Sequence, residues 1–191
     1  MESDWVMVHE MLHATFPDLT GTYRWMQEGL STYAEKVVRI RAGNINEQQM
    51  WSRLTGSMHH GRPRAGDRGL DKTHTWGRTY WGGALFWMMV DIELRTQTDN
   101  RKSLDEVLRY VASIGGNARQ MWEPRRVCEA ADKGTGTRAV SQLYERMAEA
   151  PGDVDLDRLW SELGIVREDD EVVAFEDHAP LAHVRRGIAT G

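Results

Sequence analysis

His9-Glu10-Met11-Leu12-His13 has the residue types and spacing to do chemistry. On a helix, positions i and i+4 share a face, so two imidazoles placed there can reach one metal ion. Glu10 then puts a carboxylate beside a water on that ion, which is the arrangement a zinc hydrolase uses. Short H-E-x-x-H matches also arise by chance on helices, so the five residues do not decide the matter alone. Catalytic zinc commonly takes three protein ligands and keeps a fourth position open. The third candidate is Glu28, in Trp25-Met26-Gln27-Glu28-Gly29. Pro17 and Gly21 break the chain between the two segments, which predicts helix, short loop, antiparallel helix. The second helix brings Glu28 back over His9 and His13. Its neighbours are apolar or small, and an unpaired carboxylate among them is costly unless it meets a cation. The expectation is one Zn²⁺ per chain on His9, His13 and Glu28, with Glu10 as general base.

The pair H-E-M-L-H and W-x-x-E-G-x-x-x-Y (Trp25 to Tyr33) resembles the catalytic core of the gluzincin metallopeptidases. Within that clan the chain is most similar to the glycyl aminopeptidases, with the membrane alanyl aminopeptidases as cousins. Glu28 to Gly43, Tyr80-Trp81-Gly82-Gly83-Ala84-Leu85, Asp91 to Arg95 and Lys102 to Leu108 carry the likeness, which covers roughly residues 5 to 115. The resemblance implies a zinc peptidase of aminopeptidase type acting on peptides or amino-acyl substrates. It also implies that Tyr80 assists catalysis. The chain departs from the family ahead of the first histidine. Relatives carry a β-region there whose edge strand holds the substrate, and in the alanyl cousins a G-x-M-E-N motif that grips the amino group. Here the zinc motif begins at residue 9, no G-x-M-E-N occurs, and no PDZ-like module is evident. The expectation is the helical catalytic half of such a peptidase, with a partner chain or a missing N-terminal region supplying the sheet.

Composition sets the broad class. At 191 residues the default is a single domain spanning 1–191, with enough chain to bury a core. The net charge is −5 with signs intermixed, so no basic stripe points to nucleic acid. A single Cys128 excludes an internal disulfide framework and reads as a small core residue. The longest apolar run, Ala84 to Val90, is too short to span a bilayer and reads as a buried helix wall. There is no signal-peptide pattern, so the compartment is cytoplasmic by default, although relatives of this kind are often exported.

The elements that must position these residues are mainly helical. Apolar periodicity and breakers predict helices over 4–15, 22–42, 46–58, 78–98, 103–114, 124–133, 137–149 and 155–163. Leu85, Met88, Met89, Ile92 and Thr96 recur at three and four residues. Ser103 with Glu106 three residues on is a capping box, and Asp155 can cap the helix that follows Pro151-Gly152. Residues 164–167 and 171–175, flanking Asp169-Asp170, suggest a small hairpin. Two readings stand for the polar stretch His59 to Trp76: a rim of the cleft, or plain disorder. His59, His60, His74, His178 and His183 lack the company a second metal site needs.

Around the metal, Trp25 should pack behind the site, and Trp76 and Trp81 flank Tyr80 as candidate pocket walls or as core. Asp18 and Glu35 are candidates to accept the second N–H of a ligating imidazole. Arg125-Arg126 and Arg185-Arg186 read as solvated faces, with one arginine among them as an alternative candidate to bind a peptide carboxylate. Tyr80 would donate a hydrogen bond to the oxyanion. Two function classes follow: a zinc peptidase, or a zinc-containing helical interaction or regulatory module, such as a peptidase remnant without turnover. Intact Glu10 favours the first, and the missing β-region the second.

Overall fold

The computed structural model describes residues 4–169 and 171–191. It is mainly helical. The α-helices are α1 (Asp4–Ala14), α2 (Arg24–Arg41), α3 (Glu47–Met58), α4 (Gly83–Thr98), α5 (Leu104–Ser113), α6 (Pro124–Thr135), α7 (Ala139–Met147), α8 (Leu156–Glu162) and α9 (Ala182–Thr190). A 3₁₀ turn, Gly21–Tyr23, leads into α2, and a π-helical turn, Arg78–Gly82, leads into α4. No helix among the described residues is long and apolar enough to cross a membrane.

α2 is the central element. It packs against α1, α3, α4, α9 and the π turn. It approaches α4 closely because the crossing point has no side chains. A Cβ on Gly29 would lie 2.2 Å from the carbonyl carbon of Gly83, and one on Gly83 would lie 2.1 Å from the carbonyl oxygen of Trp25. Around this contact pack Trp25, Met26, Phe86 and Trp87, all nearly inaccessible to solvent. The Trp87 indole donates to the carbonyl of Met26 (2.8 Å), so its one polar atom is satisfied inside the core.

A buried carboxylate ties three helices together. Asp91 accepts hydrogen bonds from the Tyr33 hydroxyl on α2 (2.9 Å), Arg95 Nε one turn along α4 (2.9 Å) and the Leu104 backbone N–H at the start of α5 (3.1 Å). α5 is also held by its capping box. The Glu106 carboxylate accepts from the Ser103 N–H (2.8 Å) while Ser103 Oγ accepts from the α5 backbone. Asn46 and Gln49 form the same device at the start of α3, and Asp155 caps α8 by accepting from the Arg158 N–H.

The structure departs from the sequence-based elements at four places. First, α9 was not expected. Its apolar signal is short, and its central cation, Arg185, is buried among Asp177, Glu47 and the Gly164 carbonyl, partners that no local pattern reveals. Second, Asp18–Leu19 (β1) pairs in parallel with Met121–Trp122 (β2), far along the chain and too short to show periodicity. Third, the helix expected over 78–98 begins as a π turn. The loop before it presses on that turn, where a Cβ on Gly61 would lie 2.4 Å from the Trp81 carbonyl oxygen. Fourth, the stretch 59–76 is built in. Asp67 and Arg78 form a buried ion pair (2.9 Å), Leu70 is fully buried, and Asp71 accepts from both the Trp25 indole and the Tyr144 hydroxyl. The hairpin forms from Ile165–Glu168 (β3) and Glu171–Phe175 (β4), antiparallel. Asp170, between them, lies outside the described residues.

Two outcomes test this account. Gly29→Ala should destabilise the fold by about 3 kcal/mol, because both backbones at the crossing must separate. Denaturant titration should show the midpoint falling with an unchanged slope. Glu106→Gln addresses the α5 cap. Burial opposes ionisation of Glu106, but hydrogen bonds from Ser103 and the Arg109 charge outweigh it and hold the carboxyl below its usual range. A depressed folded-state pKa gives stability that is present above the unfolded value and lost as pH falls through the folded one. Wild type should therefore exceed Glu106→Gln in stability at neutral pH, and the two should converge in acid.

Candidate metal centre

α1 and α2 pack against each other across the Phe16–Gly21 link, and this sets His9 and His13 opposite Glu28. Phe16 anchors the link, buried edge-on against Trp87 of α4. His9 and His13 lie one turn apart with ring centroids 5.0 Å apart. Glu28 Oε2 is 3.2 Å from His9 Nε2 and 3.4 Å from His13 Nε2. Among the described residues this is the only group of His, Cys, Asp or Glu whose donor atoms gather closely enough to hold a metal ion, all lying within 4.8 Å of one another. Ligands at about 2.1 Å in a tetrahedron stand about 3.4 Å apart, so the carboxylate sits at ligand spacing from each imidazole. Two nitrogens and one carboxylate oxygen are also a donor set that suits zinc.

The electrostatics fit a site made for a cation. Glu28 is buried, 5% exposed. Burial by itself would raise its pKa. Hydrogen bonds from His13, His9 and Arg24 outweigh that and hold the carboxyl well below the usual carboxylate range. The His13 imidazole is pushed up, first by its hydrogen bond to Glu28 and then by the charges of Glu28 and Glu10, against the opposing effect of burial. The other carboxylate oxygen, Oε1, accepts from Arg24 Nε (3.0 Å). Arg24 leaves Oε2 to face the histidines, which fixes the orientation of Glu28.

The triad lies in the wall of a cleft of about 1010 Å³. Glu10 lines it, exposed, and its charge is felt at His13. Tyr80 lines it from the π turn, and its phenol is close enough to Arg24 to act on that charge. π turns recur at functional sites because they re-aim side chains that a regular helix would bury. Trp76 and Trp81 both line the cleft. Trp76 is 62% exposed, with its ring 6.2 Å from Tyr80 and 5.9 Å from His60. Trp81 is half-buried beneath the Lys36 ammonium (5.2 Å).

Other residues singled out in the sequence are engaged elsewhere. Asp18 Oδ1 accepts from the Leu19 N–H and from Gln27, and Glu35 is paired with Lys36 and Arg39. Trp25 is buried, bonded to Asp71 and packed on Phe86 and Tyr144. Cys128 is buried, and desolvation raises its thiol pKa, which fits a packing residue. Arg125 and Arg186 form ion pairs, Arg126 lies over Trp122, and Arg185 is buried in its own pairs; none lines the cleft. Sequence reasoning passed over Arg24. Its i, i+4 spacing to Glu28 was the available signal.

No protein-family model, curated protein or solved structure matches this chain. The geometry itself therefore carries the functional reading.

Removing one donor should open the site. Purified chain loaded with zinc should bind about one ion, and His13→Ala should lose most of it in elemental analysis after dialysis. Full retention by the variant would move the metal elsewhere.

Proposed function

We propose that this chain is a zinc-dependent peptidase of the gluzincin type, aminopeptidase-like, acting on peptides or amino-acyl amides. The observation that carries the reading is the placement of three donor atoms at ligand spacing in the wall of a large cleft that Glu10 and Tyr80 also line. His9, His13 and Glu28 are the residues to hold the ion. When bound, zinc polarises a substrate carbonyl and makes a water acidic enough to ionise near neutral pH. Glu10 takes the proton from the attacking water and passes it to the leaving amine, a role that its exposure to the cleft permits. Tyr80 donates its O–H toward the developing oxyanion. Arg24 holds Glu28 Oε1 and so orients the carboxylate. The likeness of H-E-M-L-H and W-x-x-E-G to the glycyl aminopeptidases supports the same reading.

The substrate-aligning strand of such peptidases has only a slight counterpart among the described residues. β1 borders the cleft at Asp18 and Leu19, but the Leu19 N–H is already taken by Asp18 Oδ1 (2.9 Å). Few backbone groups are therefore offered to align a long peptide, and a misplacement of about 1 Å can cost ~10²-fold in rate. A partner chain or further sequence would supply that strand, and short substrates depend on it least.

The test is turnover of an amino-acyl amide panel with zinc content measured in each protein. Glu10→Gln should keep zinc and abolish hydrolysis, since an amide is no base. Tyr80→Phe should keep zinc and slow turnover by about 10²-fold. Equal activity in all three would place catalysis elsewhere. Zinc bound with no turnover in wild type would favour a non-catalytic zinc-binding interaction or regulatory module.

A further inference from the structure

The cleft continues along α2 past the metal triad to a cationic end. Glu28, Thr32, Glu35 and Lys36 all line it, at positions i, i+4, i+7 and i+8 of one helix face. Lys36 follows Glu28 by eight residues, about 12 Å along the axis. α3 faces it with Arg53 and, one turn on, Ser57. The π turn closes the end with Trp81, whose ring carries the Lys36 ammonium at 5.2 Å.

Charge does not balance here. Lys36 is 7% exposed and donates to Glu35 Oε1 (2.6 Å) and to the Thr32 carbonyl (2.9 Å). An ammonium has three donors, so one N–H is left over. The same Glu35 also faces Arg39, 3.6 Å away, whose Nε and Nη1 are buried without a hydrogen-bond acceptor. Arg53, exposed at the rim, makes no ion pair among the described residues. One carboxylate thus serves two buried cations, and Arg53 adds a third positive charge that no carboxylate among the described residues pairs. Burial lowers the Lys36 pKa, and Arg53 and Arg39 lower it further by repulsion, so a second anion would relieve both. A cation cluster of this kind, buried on one side and open to the cleft on the other, is costly unless an anion is drawn to it.

We propose that Lys36 and Arg53 form a subsite for a carboxylate of the substrate, with Ser57 as a further donor. The assignment of that carboxylate to a peptide rests on the peptidase reading above. The spacing selects its position. Three extended residues span about 10 Å, so a carboxylate in the third residue beyond the metal reaches Lys36. It can be the free C-terminus of a short peptide or an acidic side chain at that place. Arg53 draws the anion in from solvent, and Lys36 receives it on Trp81.

Calorimetry with defined peptides tests this on the metal-free and the zinc-loaded chain. The probes are tetraalanine with a free C-terminus, tetraalanine amide, and a pair of tetrapeptide amides carrying Glu or Gln at the fourth residue, the third beyond the metal. A charge-assisted contact predicts that tetraalanine acid binds about tenfold more tightly than its amide in both metal states. The Glu-over-Gln preference reads the side-chain source in the same way. Arg53 is exposed, so Arg53→Gln should leave the melting temperature unchanged and bring the acid-to-amide ratio close to one. Lys36→Met should do the same, with folding checked by its melting curve. Equal binding of both members of both pairs by wild type, no detectable binding of any probe, or a preference that survives Arg53→Gln would overturn the subsite. A carboxylate preference lost in Arg53→Gln, with no hydrolysis of any probe by the loaded chain, would retain the subsite and reject the peptidase reading.

Discussion

The backbone contact between Gly29 and Gly83 is the constraint on which the site depends. With no Cβ on either side, α2 and the start of α4 touch main chain to main chain. The residue before Gly29 is Glu28, and the residues before Gly83 form the π turn that carries Tyr80 and Trp81. Close approach therefore sets the depth of the cleft wall on both sides at once. A methyl group at the crossing would move a candidate ligand and a candidate oxyanion donor together.

α2 meets this constraint with an unusual load of buried polar groups. On the cleft side it carries Glu28, Glu35 and Lys36; its Tyr33 hydroxyl is held by Asp91 of α4. Asp91 is fully satisfied by Tyr33, Arg95 and the start of α5, so that network serves rigidity. The cleft side is different. Glu28 is shared by two imidazoles and a guanidinium, and Glu35 by an ammonium and a guanidinium. One helix thus presents an anionic point suited to a cation and, about 12 Å further on, a cationic end suited to an anion. A rigid helix fixes the distance between the two.

The loop from His59 to Trp76 shows how far composition misleads. It is polar, glycine-rich and without periodicity, yet Gly61 and Gly69 lie against neighbouring backbone, and Asp67 and Asp71 are bonded within the fold. Its glycines allow close packing, and its acids answer cations and donors from distant elements. Trp76 at its end is delivered to the cleft beside Tyr80.

The sequence by itself determined the helical character, the major helices to within a few residues, the caps at Ser103 and Asp155, and the ligand candidates His9, His13 and Glu28. These features are local: helical period, breakers and capping chemistry are written in neighbouring residues. Tertiary structure alone decided α9, the β1–β2 pairing, the π turn and the placing of Lys36 and Arg53 on one cleft. Each depends on partners far apart in sequence or on a rotation about a helix axis. A single sequence records residue types and spacing but not which distant charge fills the space beside them.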